Sequence, residues 1–158
     1  MRYFLLDRVL EVVPGVSARG VKNVTLSDEV VHDHFPDLPI FPGALIIESM
    51  AQLAGFLIEV SRHAEGAPLL RALLVQIRRA KFSRPAEPGD QIELRATLGS
   101  SLETAAEVDV EAFVEGTRIA RAGLTFMLKA TDSERIHEQR RRLYRQWTKG
   151  LASPPRLP

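Results

Sequence analysis

From Ala44 to about His63 the chain sets Leu45, Ile46, Ile47, Met50, Leu53, Phe56, Leu57 and Ile58 around most of the circumference of one helix. A helix apolar on nearly every side has no face to give to water, so the rest of the chain must enclose it. Glu48, Gln52 and Glu59 interrupt the same run, which argues against a membrane span. The enclosing material reads as strand. "DRVLEVVPG" is a short strand closed by a Pro-Gly turn, and "SARGVKNVTLS" alternates well enough to be its antiparallel neighbour. "ALLVQIRRAKF", "DQIELRATL", "AAEVDVEAFVEG" and "TRIARAGLTFML" follow, with turns at "RPAEPGD" and at Gly116-Thr117. Val108, Val110, Ala112 and Val114 fall on one side of their strand and acids mainly on the other, as in a sheet with one wet face. The expected architecture is α+β: an antiparallel sheet of about six strands around one long buried helix.

Length and charge fit that outline. The 158 residues suit one domain, and a net charge of +1 gives no global field for nucleic acid or an anionic membrane. Cysteine is absent, which excludes disulfide and thiolate chemistry and agrees with a reducing compartment. "MRYFLLDRVLEVVPG" has no signal-peptide core, so the cytoplasm is the expected location. The domain is expected to cover residues 1–130. Residues 131–158 change character: "SERIHEQRRRLYRQWTKGL" puts Ile136, Leu143, Trp147 and Leu151 on one stripe of a basic helix, and "ASPPRLP" should be extended or disordered.

The chemistry concentrates in "HFPDLPIFPGALIIESMAQLAG", His34 to Gly55. Pro36, Pro39 and Pro42 each fix φ and bias the preceding residue to extended backbone, so this loop can hold His34 in one place at little entropic cost. Gly43 follows directly. Its N–H, at the positive end of the helix, could donate to a developing oxyanion. Glu48 lies in the apolar helix, where an unpaired ionised carboxylate costs several kcal/mol and a protonated one is a ready acid. Gln52 is four residues on, close enough to orient it, and Gly55 and Glu59 continue the stripe beside a small concavity. A base, an acid and an N–H donor suffice to remove a proton next to a carbonyl and expel a hydroxyl. Two other readings are weaker. The Pro-x-x-Pro spacing lacks the basic flank of an SH3 ligand and leads into a buried helix. His32-Asp33-His34 could begin a metal site, but His63 and His137 lie near element ends, and His32 reads as a surface residue.

The stretch resembles the active-site motif of FabZ-type 3-hydroxyacyl-[acyl-carrier-protein] dehydratases, a His-Phe-Pro-x-x-Pro-x-x-Pro-Gly run followed by Glu and Ala-Gln. The likeness extends over "FLLDRVLEVVPG", "GVKNVTLS", "AKFSRPAEPGDQIEL" and the last strand, roughly residues 2 to 128. The resemblance implies a hotdog fold, pairing of two subunits edge to edge as a dimer or a trimer of dimers, and an active site at the interface. His34 would take the α-proton of a 3-hydroxyacyl thioester carried by acyl carrier protein or CoA. Glu48, from the other subunit, would protonate the leaving hydroxyl, Gly43 N–H would polarise the carbonyl, and Gln52 would support Glu48. The product would be a trans-2-enoyl thioester, with no metal or redox cofactor expected.

The sequence departs from that motif at Asp33 and Asp37, where the family usually has glycine. The first adds charge beside the base; the second adds a side chain where the loop normally has none. A hotdog thioester hydrolase and a non-catalytic acyl-binding partner subunit are the alternative functions. The arginines at 140–142, together with Arg78, Arg79, Lys81 and Arg84, form a candidate surface for an acidic carrier protein, against the plainer reading of an amphipathic helix packed on the sheet.

Overall fold

The computed structural model describes residues 3–158. Its elements are β1 (Arg8–Val13), β2 (Ser17–Asn23), a short 3₁₀ turn (Glu29–Val31), α1 (Gly43–Ala64), β3 (Leu70–Phe82), β4 (Gln91–Ser101), β5 (Ala105–Val114), β6 (Thr117–Ala130) and α2 (Glu134–Trp147). The six strands form one antiparallel sheet in the order β1-β2-β4-β5-β6-β3.

The alternation in β5 places Ala106, Val108, Val110, Ala112 and Val114 inward, and the register pairs them with equally buried partners such as Leu94, Ala120 and Leu124. These side chains meet α1, whose Met50, Leu53, Phe56, Leu57 and Val60 are fully enclosed. By length and hydropathy α1 could cross a membrane, but most of it is buried inside the sheet, which makes it the core helix. It begins one residue earlier than expected, at Gly43 behind Pro42, and carries Arg62 and His63 in its last turn, where the dipole favours positive charge.

Two features of the sheet bear on function. Strand β3 is an edge strand of thirteen residues in which Leu73, Leu74, Val75, Ile77 and Phe82 are exposed. A long apolar edge of this kind is a template for further strand pairing. The register of β3 on β6 shifts twice, between Leu74 and Gln76 and between Arg78 and Lys81, with Arg79 in the left-handed region at φ 50°. Bulges like these bend an edge strand and increase its twist.

The C-terminal segment corrects the sequence expectation. The buried face of α2 is His137, Arg140, Tyr144 and Trp147; Ile136 is exposed, and Leu151 lies beyond the helix end. The reason is Glu59 on α1, an acid inside the core that can be accommodated only by a partner. Arg140 Nη1 donates to Glu59 Oε2 at 2.7 Å and to the carbonyl of Leu70 at 2.6 Å; Tyr144 OH donates to the same Oε2, and the Ala72 N–H donates to Oε1 at 3.0 Å. This polar demand turns Arg140 and Tyr144 inward beside the apolar stripe, of which Trp147 is buried and Leu143 packs against the core while Ile136 is left exposed. Phe56 meets Tyr144 edge-on at 4.9 Å and Trp147 at 6.3 Å, completing the joint. Beyond α2 the chain has no regular structure, as expected, but Leu151 and Leu157 pack against the core.

Candidate active site

The loop carrying His34 is anchored at both ends. At its start Asp28 accepts from the Thr25 N–H at 3.0 Å and pairs with Lys22 at 3.4 Å, while Lys22 itself is buried over the Phe41 ring. At its end the Phe41 N–H donates to the Ala86 carbonyl at 2.7 Å, tying the loop to the turn before β4. Between these anchors Phe35 and Leu38 exchange backbone hydrogen bonds of 2.8 and 2.9 Å, and the Ile40 N–H donates to the His34 carbonyl at 3.0 Å. The loop is thus a closed turn with His34 at its neck. The His34–Phe35 peptide bond is cis, and the two rings stack at 4.3 Å.

Asp37 sits at the third position of this turn, after Pro36, with φ 64°. Proline followed by a left-handed residue is the type II pattern, in which glycine is favoured. Aspartate tolerates the conformation better than most residues, so the turn keeps its shape with a side chain added. Asp33 and Asp37 are both exposed.

Gly43 and Ala44 open α1, and the first N–H groups of a helix have no acceptor within it. A Cβ added at Gly43 would come within 3.0 to 3.3 Å of the Phe82 ring, so glycine permits the end of β3 to close over the helix start.

Five residues along the helix, Glu48 is half-buried rather than enclosed by leucines as the sequence suggested. It faces a cleft of about 500 Å³ shared with Ala51, Gln52, Gly55, Phe56 and Glu59 of α1, a segment of β3 and one face of α2. Gln52 holds it. The amide Nε2 donates to Glu48 Oε1 at 2.9 Å and to the Tyr3 carbonyl at 2.9 Å, while its Oε1 accepts the N–H groups of Leu5 and Leu6 at 3.0 and 3.2 Å. The expected support of Glu48 by Gln52 is present as geometry. The tether of Gln52 to residues 3–6 had no signal in the sequence, because the partners are backbone atoms.

His34 does not line this cleft, and among the described residues no hydrogen bond joins it to Glu48. One chain therefore brings Glu48 and Gln52 together and leaves His34 apart. His32 is exposed and bonds to the Leu26 carbonyl, while buried His137 bonds to that of Thr131 at 2.6 Å. Among the described residues no group of three or more His, Asp or Glu side chains is arranged to hold a metal ion.

Of the two readings of the tail, the packed helix is the one found, and its arginines do not form a free cluster. Arg140 is buried against Glu59, and its burial lowers the guanidinium pKa from the ordinary value, an effect that the Glu59 carboxylate opposes. Burial likewise pushes the Tyr144 phenol well above the ordinary range, reinforced by Glu59. Arg141 pairs with Glu134 and Arg142 with Glu138 along the exposed side of α2. The buried triad was missed because its members lie eighty residues apart, although an acid in an all-apolar helix was a visible demand for a cation.

Residues 1–123 match the FabA-like domain family. The chain is 36% identical over 126 residues to the 3-hydroxyacyl-[acyl-carrier-protein] dehydratase FabZ of Methylobacterium radiotolerans, covering 80% of each chain. It is 37% identical to the FabZ of Acidiphilium cryptum, covering 80% of this chain and 76% of that one. Among solved structures it superposes on the dehydratase heterocomplex ApeI:P from Xenorhabdus doucetiae with a TM-score of 0.69 and 19% identity, covering 87% of this chain and 90% of the other. A Streptococcus mutans protein bound to acetyl CoA, smu.793, superposes with a TM-score of 0.61 and 16% identity, covering 78% and 90%. At these identities the structural matches establish the fold, which is the hotdog fold expected from the motif.

Proposed function

Because the chain belongs to the FabA-like family and resembles its FabZ dehydratases over 80% of its length, we infer that it removes water from a 3-hydroxyacyl thioester, giving the trans-2-enoyl thioester in fatty-acid or related acyl-chain synthesis. The relatives are named for acyl-carrier-protein substrates, and a carrier-protein thioester is the form we assign here. The observation that carries the reading is Glu48: a carboxyl group fixed by Gln52 and open to a largely apolar cleft a little more than one turn beyond the start of α1.

In this reading the His34 imidazole takes the proton at C2, the Gly43 N–H stabilises charge on the thioester oxygen, and Glu48 gives its proton to the hydroxyl leaving C3. The separation of His34 from the Glu48 cleft within one chain supports a site shared between two copies. Pairing along the exposed β3 edge would continue the sheet and bury Leu73, Val75 and Ile77. The protein is then a homodimer or an assembly of dimers, acting in the cytoplasm as one catalytic domain with α2 appended.

The test is to supply a 3-hydroxyacyl carrier-protein thioester and follow enoyl product and free thiol for the wild type, His34→Ala and Glu48→Gln, with the mass in solution measured alongside. We expect enoyl product from the wild type, a loss of about 10²-fold or more in each variant, and a mass of at least two chains. Thiol release without enoyl product would instead make the protein a hydrolase, and Glu48→Gln turning over at the wild-type rate would remove Glu48 from the mechanism.

A further inference from the structure

The cleft that opens at Glu48 is walled by α2, and α2 lies wholly beyond the FabA-like match at residues 1–123. We propose that α2 gauges the acyl chain: the cleft receives the chain of the thioester beyond C3, and the joint between α2 and α1 closes its far end. The proposal rests on the reading of Glu48 as the group facing C3.

Continuity supports the choice of occupant. Glu48, Ala51, Gly55 and Glu59 follow one another on the face of α1 that lines the cleft, so a chain starting at Glu48 has a groove to run along. At Gly55 the groove has room for a side chain, since an added Cβ would make an ordinary contact with the Ala72 Cβ at 3.9 Å. The lining is mainly apolar, with Phe56, Leu74, Phe126, Leu143 and Trp147, and also carries Arg71 and Gln139. An alkyl chain is the ligand whose chemistry matches a long apolar groove leading away from one fixed acid.

The far end is closed by the Glu59–Arg140–Tyr144 triad, which is bonded to the backbone of β3 through the Leu70 carbonyl and the Ala72 N–H and so bridges both walls. Arg140 Nε and Nη2 are inaccessible to solvent and have no hydrogen-bond partner among the described residues, so they offer the cleft no donor. A methylene entering an apolar groove improves binding about fourfold, which cannot compensate for separating a buried ion pair. The end wall therefore acts as a stop rather than a gate.

Helix geometry sets the length. At 1.5 Å per residue Gly55 lies about 10 Å and Glu59 about 16 Å beyond Glu48. With C–C bonds of about 1.5 Å meeting at about 111°, an extended chain advances about 1.25 Å per carbon, so the groove holds roughly eight to thirteen carbons past C3.

The test measures binding of 2-oxoalkyl pantetheine thioethers, uncleavable mimics of acyl thioesters, with chains reaching from about four to about fifteen carbons past the position of C3. For the wild type, affinity should rise about fourfold per methylene to a break at roughly eight to thirteen carbons and then fall at least about tenfold. Gly55→Leu, which fills the groove, should move the break to shorter chains. Leu143→Ala, which thins the α2 wall and leaves the triad intact, should weaken binding of chains long enough to reach that wall and leave the break in place. Affinity that climbs through the longest chain, a break that Gly55→Leu leaves in place or Leu143→Ala moves, unchanged binding of long chains in Leu143→Ala, or no binding at any length overturns the proposal. Because the readout is binding, absence of dehydration by the same preparations would refute the dehydratase reading separately and leave this result to stand or fall by itself.

Discussion

Replacing Arg140 by Met should be among the most damaging single changes outside the His34 loop. The Arg140 side chain is 2% exposed and that of Glu59 4%, so removing the guanidinium strands a carboxylate that keeps only the Tyr144 hydroxyl and the Ala72 N–H. Breaking a buried pair by deleting one partner costs about 3–5 kcal/mol. For a domain of this size each kcal/mol moves the melting temperature by about 2–4 °C, so a fall of roughly 6–20 °C is expected. Glu59→Gln should cost a similar amount, since it leaves Arg140 as an uncompensated buried cation. The double variant removes both charges, keeps an acceptor for Ala72, and should be destabilised by at least about 2 kcal/mol less than the sum of the singles. Thermal and urea unfolding of the four proteins supply the cycle. An Arg140→Met penalty under about 1 kcal/mol, the range of an exposed pair, or additive singles would refute the view that this joint fixes α2 to α1.

Three further outcomes follow from the same coordinates. Asp37→Gly should stabilise the protein by about 0.5–1 kcal/mol, because glycine adopts the left-handed conformation at φ 64° without the Cβ penalty; a lower urea midpoint would show that the Asp37 side chain makes a contribution of its own. Above pH ~10 the wild type should lose stability by up to about 1.4 kcal/mol per pH unit, because the unfolded chain ionises Tyr144 at its ordinary value while the folded chain keeps the proton. The raised phenol is thus stabilising below pH ~10 and the contribution is lost on going up. Tyr144→Phe should flatten that part of the unfolding profile, and an unchanged slope would contradict it. Gln52→Leu should reduce turnover by about 10-fold or more through loss of the Glu48 tether and should speed hydrogen exchange at Leu5 and Leu6, the two amides that Gln52 accepts from; protected amides would show that another group holds the N-terminal segment.

Much of the fold was legible because its signals are local and periodic. An all-round apolar helix and six alternating strands specify a wrapped helix, and the alternation from Val108 to Val114 fixes which face of β5 turns inward. The loop was legible as well. Three prolines stiffen it and Gly43 opens α1, and chain stiffness and a helix start are properties of short segments. The sequence by itself therefore determined the core helix, the strands, and the residues at which chemistry was to be sought.

Only the tertiary structure decided what surrounds them. Whether Glu48 is enclosed or faces a cleft depends on what packs beside α1, and that is β3 and a helix eighty residues further on. The orientation of α2 followed its buried polar group, because an uncompensated charge in the core costs more than an exposed isoleucine. Asp37 likewise reads as an ordinary loop residue until its positive φ is known. Periodicity reports which side of an element is apolar, whereas long-range pairing decides which side is covered.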